Sequence, residues 1–396
     1  MTTLKEAEVK FLTLVREGND VQVKQMLRKD PLLVTTKEEG EGEGEKSDES
    51  EEVINNKTTP LHIASSLGHA ETVKILLEYE GDKNSLNPDG WTPLHLASES
   101  GHVNVVKILR GGRGDVEEKD KLGKDNSTPL HLASQSGHLE VVKVLMESGD
   151  DPKTQNVNGW APIHLACDRG HLEVVRALLE GGAEKEVVNN SGWTPMHKAC
   201  REGHVDVVKL LIESGANQDK PNADGWTQLH IACANGRVEV VKVLLMMAGV
   251  NINRKKNDGW TPLHCASDKG QIEVMKLLIE AGAELDIKEE NGGLTPLHMA
   301  CRNGWVEAAR ELLLHGADKE SQDSKGRTPL FIACERSQVA TVKFLMTAEA
   351  SKDVKDIDGR TLLDVAHESD DADALVGILT APTTADQGNS QEQRNH

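Results

Sequence analysis

The chain has 396 residues, of which six are Trp, three Phe and one Tyr, and it carries 45 basic against 65 acidic residues, a net charge of −20. So few rings exclude the thick aromatic cores of a conventional enzyme of this length, and the acidic balance argues against nucleic acid and anionic membrane surfaces as partners. No apolar run is long enough to span a bilayer, and the N-terminal MTTLKEAEVKFLTLV has neither a signal-peptide core nor a myristoylated glycine. The six cysteines are therefore expected as reduced thiols in a cytoplasmic or nuclear protein.

In chain order, residues 1–36 read as a degenerate N-terminal capping unit. Gly18 ends a first helix, and Val21, Val23, Met26 and Leu27 supply a second. Residues 37–56 contain KEEGEGEGEKSDESEE, with nine acids between Glu38 and Glu52. Glycine and like charges cannot build a core, so a disordered acidic loop is expected here. Ser47 and Ser50 within it fit the pattern of an acidophilic kinase substrate, although a solvating spacer explains the composition as well.

From 57 to 380 one unit recurs ten times. Its marker is Thr-Pro-Leu-His or a variant, starting at Thr59, Thr92, Thr128, Ala161, Thr194, Thr227, Thr261, Thr295, Thr328 and Thr361, with offsets of 33 to 36 residues. Thr is a helix N-cap and Pro suits the first helical position. Nine residues after Thr a glycine suits the left-handed end of a short helix (Gly68, Gly101, Gly137, Gly170, Gly203, Gly236, Gly270, Gly304). A second amphipathic helix follows, such as HVDVVKLLIES from His204, and another glycine closes it. Asp-Gly or Asn-Gly then marks a hairpin turn before the next Thr. A small insertion in 110–124 should enlarge one hairpin. The copy at Thr361 has polar residues where inner copies are apolar, so it reads as a C-terminal cap, and residues 381–396 as a polar, disordered tail.

In period and motif these units resemble the ankyrin repeat. The resemblance covers about nine-tenths of the chain and implies an all-α solenoid of stacked helix pairs with hairpins at right angles to them. It also implies a protein–protein interaction module, acting as adaptor, scaffold or inhibitor through the concave face. A regulatory or assembly-chaperone subunit of a larger complex, and an effector acting in a host cell, are the alternatives. The expected partner is a protein segment of basic or mixed charge, with no cofactor, no nucleic acid and no membrane insertion, and the chain is expected to be a monomer.

Candidate residues divide into those that repeat and those that vary. Eight histidines follow Thr or Ala161 by three residues and five follow the helix-ending glycine. Such periodicity serves the repeat, whereas catalysis needs one asymmetric site. No phosphate loop or nucleophile elbow is present, so no catalytic, metal or cofactor residue is assigned. Trp91, Trp160, Trp193, Trp226 and Trp260 stand just before the Thr position, which in the family lies on the concave side, and two roles, binding and packing, are open to them. Arg169, Arg201, Asn235, Lys269 and Arg302 lie among the two residues before the helix-ending glycine, where the copies differ most. Together with the tryptophans they form the expected partner-binding set.

Overall fold

In a computed structural model of the chain, residues 2–37, 58–111, 125–246 and 249–381 are described. The acidic loop with Ser47 and Ser50, the insertion within 110–124 and the C-terminal tail lie, apart from their first or last residues, outside them. The chain divides into two compact units, Met1–Ala199 with Asp206–Ala216, and Cys200–Val205 with Asn217–His396.

The first unit opens with α1 (Thr2–Arg16), α2 (Asp20–Lys29) and a 3-10 turn (Pro31–Thr35). The helix pairs α3 (Pro60–Ser66) and α4 (Ala70–Glu78), α5 (Pro93–Glu99) and α6 (Val103–Arg110), α7 (Pro129–Ser136) and α8 (Leu139–Glu147), and α9 (Pro162–Arg169) and α10 (Leu172–Glu180) follow. The pair α11 (Pro195–Glu202) and α12 (Val205–Glu213) contributes to both units. The second unit holds α13 (Gln228–Ala234) and α14 (Val238–Met246), α15 (Pro262–Lys269) and α16 (Ile272–Glu280), and α17 (Pro296–Arg302) and α18 (Val306–Leu314). It ends with α19 (Pro329–Glu335) and α20 (Val339–Thr347), then α21 (Leu362–His367) and α22 (Ala372–Thr380). Within each unit first helices pack on first helices and second on second: α3 on α5, α5 on α7 and α7 on α9, then α13 on α15, α15 on α17 and α17 on α19.

The local causes are visible residue by residue. Thr59 takes an extended conformation, accepts the His62 backbone N–H on its hydroxyl, and is followed by Pro60 at the first helical position. Two glycines need their freedom for a further reason. Gly68 has φ +78°, and a Cβ there would lie 2.5 Å from the ring of His102 in the next copy; at Gly270 (φ +64°) a Cβ would lie 2.7 Å from the Trp305 ring. Where glycine is missing the backbone keeps its conformation regardless: Ser337 has φ +54°, and Glu80 and Glu349, at the closing-glycine position, have +64° and +56°.

The second helix expected in the N-terminal unit is α2, on which Val23 and Leu27 bury fully while Val21 is exposed. One expectation is corrected. The expected hairpins are turns without paired strands; among the described residues the single β-bridge joins Lys355 and Thr361. The reason is that a side chain takes the donors a ladder would use. Asn87 Oδ1 accepts from the backbone of Asp89 at 3.1 Å and of Trp91 at 2.8 Å, while the Asn87 N–H reaches the Trp91 carbonyl at 2.9 Å. Neighbouring turns are joined by one backbone bond, such as Val157 to Asp125 (2.9 Å) or Glu290 to Asp258 (3.1 Å).

Ser337→Gly tests the helix-ending turn. A side chain held at positive φ costs about 1 kcal/mol, so the variant should unfold at higher urea than the parent; an unchanged or lower midpoint contradicts this account.

Candidate functional site

The residue before each Thr is fixed by main-chain bonds from both sides. On its N-terminal side the Asn carboxamide holds its N–H, as at Trp91, Trp160 (3.0 Å to Asn156), Trp193 (2.8 Å to Asn189) and Trp226 (2.9 Å to Asn222). Its carbonyl accepts from the histidine of the preceding copy: His62 Nε2 to Trp91 (2.9 Å), His131 to Trp160 (2.9 Å), His164 to Trp193 (3.0 Å) and His230 to Trp260 (3.0 Å). The same bond runs from His95 to Ser127, His264 to Leu294 and His298 to Arg327.

Each ring's other nitrogen, Nδ1, accepts the Thr or Ala backbone N–H, at 3.2 Å from Thr59 and 3.1 Å from Ala161. The proton therefore sits on Nε2. These rings are fully buried. Burial pulls His164, His230, His264 and His298 down to about 4 and lowers His62 and His131, against the opposing pull of the bonded carbonyls. The second histidine set works in the opposite direction along the chain: His69 donates to Arg16 O, His102 to Ser66 O, His138 to Glu99 O and His171 to Gln135 O, all at 2.9–3.0 Å.

The six cysteines are all buried and unpaired to one another. Burial pushes the Cys265 and Cys334 thiols up to about 12 and raises Cys200, Cys233 and Cys301 as well. Among the described residues no group of three or more His, Cys, Asp or Glu side chains is placed to hold a metal ion.

With its main chain engaged, each Trp of the row presents an indole that is half-buried. Trp91 and Trp160 meet the histidine of their own copy edge-on, with centroids 5.4 and 5.2 Å apart. Trp193, Trp226 and Trp260 also lie against theirs, at 5.8, 6.2 and 6.3 Å. The row thus divides between the units, with Trp91, Trp160 and Trp193 in the first and Trp226 and Trp260 in the second. Ser127, which interrupts it, is buried and bonds to Asp125 and Asn156. Arg327 and Arg360, which replace Trp late in the chain, are clamped to Asp323 and Asp356 at 2.8 Å, and Arg327 also reaches Glu335 at 2.6 Å.

The variable pairs are placed as follows. Arg169 is exposed at the end of α9. Arg201 bonds to Glu202 at 2.6 Å, and its carbonyl accepts from Arg237. Asn235 is exposed and turns its amide back on the Ile231 carbonyl at 2.8 Å. Asp268 gathers Arg302 (2.8 Å), Asn303 (2.9 Å) and the exposed Lys269 (3.2 Å). Burial of Asp268 opposes its ionisation, but the bonds from Asn303, Lys269 and Arg302 outweigh that and hold the carboxyl below its usual range. Trp305, outside the row, does the work of the second histidine: its Nε1–H donates to the Asp268 carbonyl at 2.9 Å.

Two residues beside the tryptophan row escaped the sequence reading. Lys198 is 8% exposed, pairs with Asp168 at 2.7 Å and lies 4.6 Å above the Trp160 ring. Lys256 lies 4.9 Å from both the Trp226 and Trp260 rings. A signal existed for each. Lys198 interrupts a position filled by Ile63, Leu96, Leu132, Leu165, Ile231, Met299 and Ile332, and Lys256 stands where Asn87, Asn156, Asn189 and Asn222 stand elsewhere.

A family model described as ankyrin repeats (3 copies) matches residues 15–120, 113–189, 130–222, 181–256, 217–289, 244–323 and 286–356. The chain belongs to the ankyrin-repeat family. It is an all-α ankyrin array whose family generally serves as a protein–protein interaction module. The sequence matches none of the curated proteins compared with it. No helix among the described residues is long and apolar enough to cross a membrane.

Two measurements check the buried groups. Between about pH 6.5 and 4 the unfolded chain binds protons that the folded histidines refuse. Stability is therefore expected to fall as pH drops through that window, by up to about 1.4 kcal/mol per pH unit for each such histidine. Urea midpoints at pH 7, 5.5 and 4.5 should decrease in that order, and a flat series refutes the neutral buried rings. The thiols should resist an aromatic disulfide reagent at pH 8 in the native protein and react fully in guanidinium; fast native labelling contradicts their burial.

Proposed function

We propose that this ankyrin protein acts as an adaptor, scaffold or inhibitor, binding a protein segment of basic or mixed charge on the face that carries the residue before each Thr. The observation that carries this reading is the tryptophan row: five indoles at one repeat position, each left partly accessible after its main chain has been fixed. Partly exposed aromatic rows are costly in water and typical of binding hot spots.

The opposite charges of the second helices favour the same face by elimination. Their exposed residues pair within one helix, as in Glu71–Lys74, Glu140–Lys143, Glu239–Lys242, Glu273–Lys276 and Glu307–Arg310. That pattern repeats from copy to copy and neutralises itself, so it offers a partner little to distinguish. The pre-glycine residues Arg169, Arg201, Asn235, Lys269 and Arg302 vary instead, and in this reading they rim the tryptophans Trp91, Trp160, Trp193, Trp226 and Trp260. Binding needs neither catalysis nor cofactor. In the same reading the protein is a monomer of the cytoplasm or nucleus, with residues 1–36 as N-terminal cap and the Thr361 copy as C-terminal cap.

The test compares partner capture by the wild type and by a variant carrying Trp160→Ala, Trp193→Ala, Trp226→Ala and Trp260→Ala, with folding checked by thermal melting. Loss of two or more hot-spot contacts, each worth about 2 kcal/mol, should reduce capture of a specific partner by more than tenfold while the melt is retained. Undiminished capture by the folded variant overturns the assignment of the row.

A further inference from the structure

The cleft between Trp226 and Trp260 already holds an ammonium group. The Lys256 Nζ stands 4.9 Å from each ring centroid and is ion-paired with Asp258, and the lysine side chain is only 9% exposed. An indole face is the electron-rich side of its ring, so two faces and a carboxylate make a site for a cation. The turn itself does not require a lysine. Lys256 serves it through main-chain atoms, donating its N–H to the Trp260 carbonyl (2.9 Å) and accepting from Gly259 (2.8 Å). The task done elsewhere by the Asn carboxamide, holding the Trp N–H, is performed here by Asp258 Oδ1 at 3.1 Å. The Lys256 side chain thus touches the turn only through Asp258, whose other oxygen holds the Trp260 N–H, and otherwise lies against the indoles. The other unit repeats the chemistry with unrelated positions: Lys198, set in an otherwise apolar column, lies over Trp160 and pairs with Asp168.

We propose that Trp226, Trp260 and Asp258 form a recognition site for a cationic side chain, lysine or arginine, of a protein partner, and that Lys256 is its internal occupant, displaced when the partner binds. This rests on the reading of the tryptophan row as a partner-binding face. A tethered occupant lowers the apparent affinity for any outside cation by the fraction of time the cleft stands empty. That is useful on a chain of net charge −20, whose field collects basic segments indiscriminately. An isolated lysine or arginine does not evict Lys256, whereas a segment with further contacts along the same face does.

The probe is tetramethylammonium chloride, compared with sodium chloride at equal concentration, and the readout is the indole ¹H–¹⁵N resonances, assigned by single Trp→Phe changes. Lys256→Asn gives this turn the residue found in four other copies. In that variant the Trp226 and Trp260 resonances should move saturably with tetramethylammonium, at a dissociation constant at least tenfold lower than in the wild type, while Trp305 stays still. If Lys256→Asn does not fold, Lys256→Gln, which is one atom shorter than lysine and removes the charge, is read in the same way. No saturable shift in the folded variant, equal response in wild type and variant, or equal movement of all indoles overturns the proposal. Because the probe needs no protein partner, such a failure leaves the capture experiment on the tryptophan row to be decided separately.

Discussion

The Nε2–H of a buried histidine, donated to a main-chain carbonyl 29–32 residues ahead, is the bond on which the rest of each unit depends. A single ankyrin copy is two short helices, α3 for example having seven residues, too short to persist alone. What it lacks inside itself it obtains from its neighbours. The histidine ring caps its own helix through Nδ1 and reaches the next turn through Nε2, so one side chain sets both the start of the helix and the spacing of the stack. Burial, which keeps the ring neutral, is also what makes the bond count: an unpaired donor there costs about 1–3 kcal/mol.

Because that bond ends on a carbonyl, the copies are joined through the main chain of the residue before each Thr, the position proposed above for partner binding. The side chain at this position is thereby free to differ from copy to copy without breaking the join. Trp, Ser127, Leu294 and Arg327 all occupy it, and each accepts the same histidine bond. The join between copies uses the main-chain atoms of this residue, and what varies is its side chain. The same division explains how Trp305 can replace a histidine: its N–H makes the required bond to Asp268 O, and the remaining ring is 44% exposed.

The period, the Thr N-caps, the helix-ending glycines and the buried cysteines were all legible, since each rests on local chemistry repeated many times. Positive φ at Ser337, Glu80 and Glu349 shows the repeat overriding local preference where the glycine is absent. The hairpins misled because Asp-Gly and Asn-Gly dictate a turn but not a ladder; the carboxamide of Asn87 or Asn189 consumes the donors that strands would pair. Lys198 and Lys256 were missed for a different reason. Lys198 is one basic residue in an apolar column and Lys256 one basic residue where other copies carry Asn, Asp or Glu, and the Trp160 ring that Lys198 covers lies 38 positions away in sequence, within reach only once the copies are stacked.

The histidine bond has a direction, and the copy at Thr328 lacks it. In the copy at Thr328 the ring is Phe331, fully buried but without a nitrogen to offer; the turn before Thr361 keeps its backbone bond from Ile357 to Lys325, and Arg360 adds contacts to Asp356 and the more distant Glu335 and Glu368. A directed, dry bond gives way there to charges that salt can screen. The join between the Thr328 and Thr361 copies is therefore expected to respond to ionic strength in a way that the histidine-bonded joins do not.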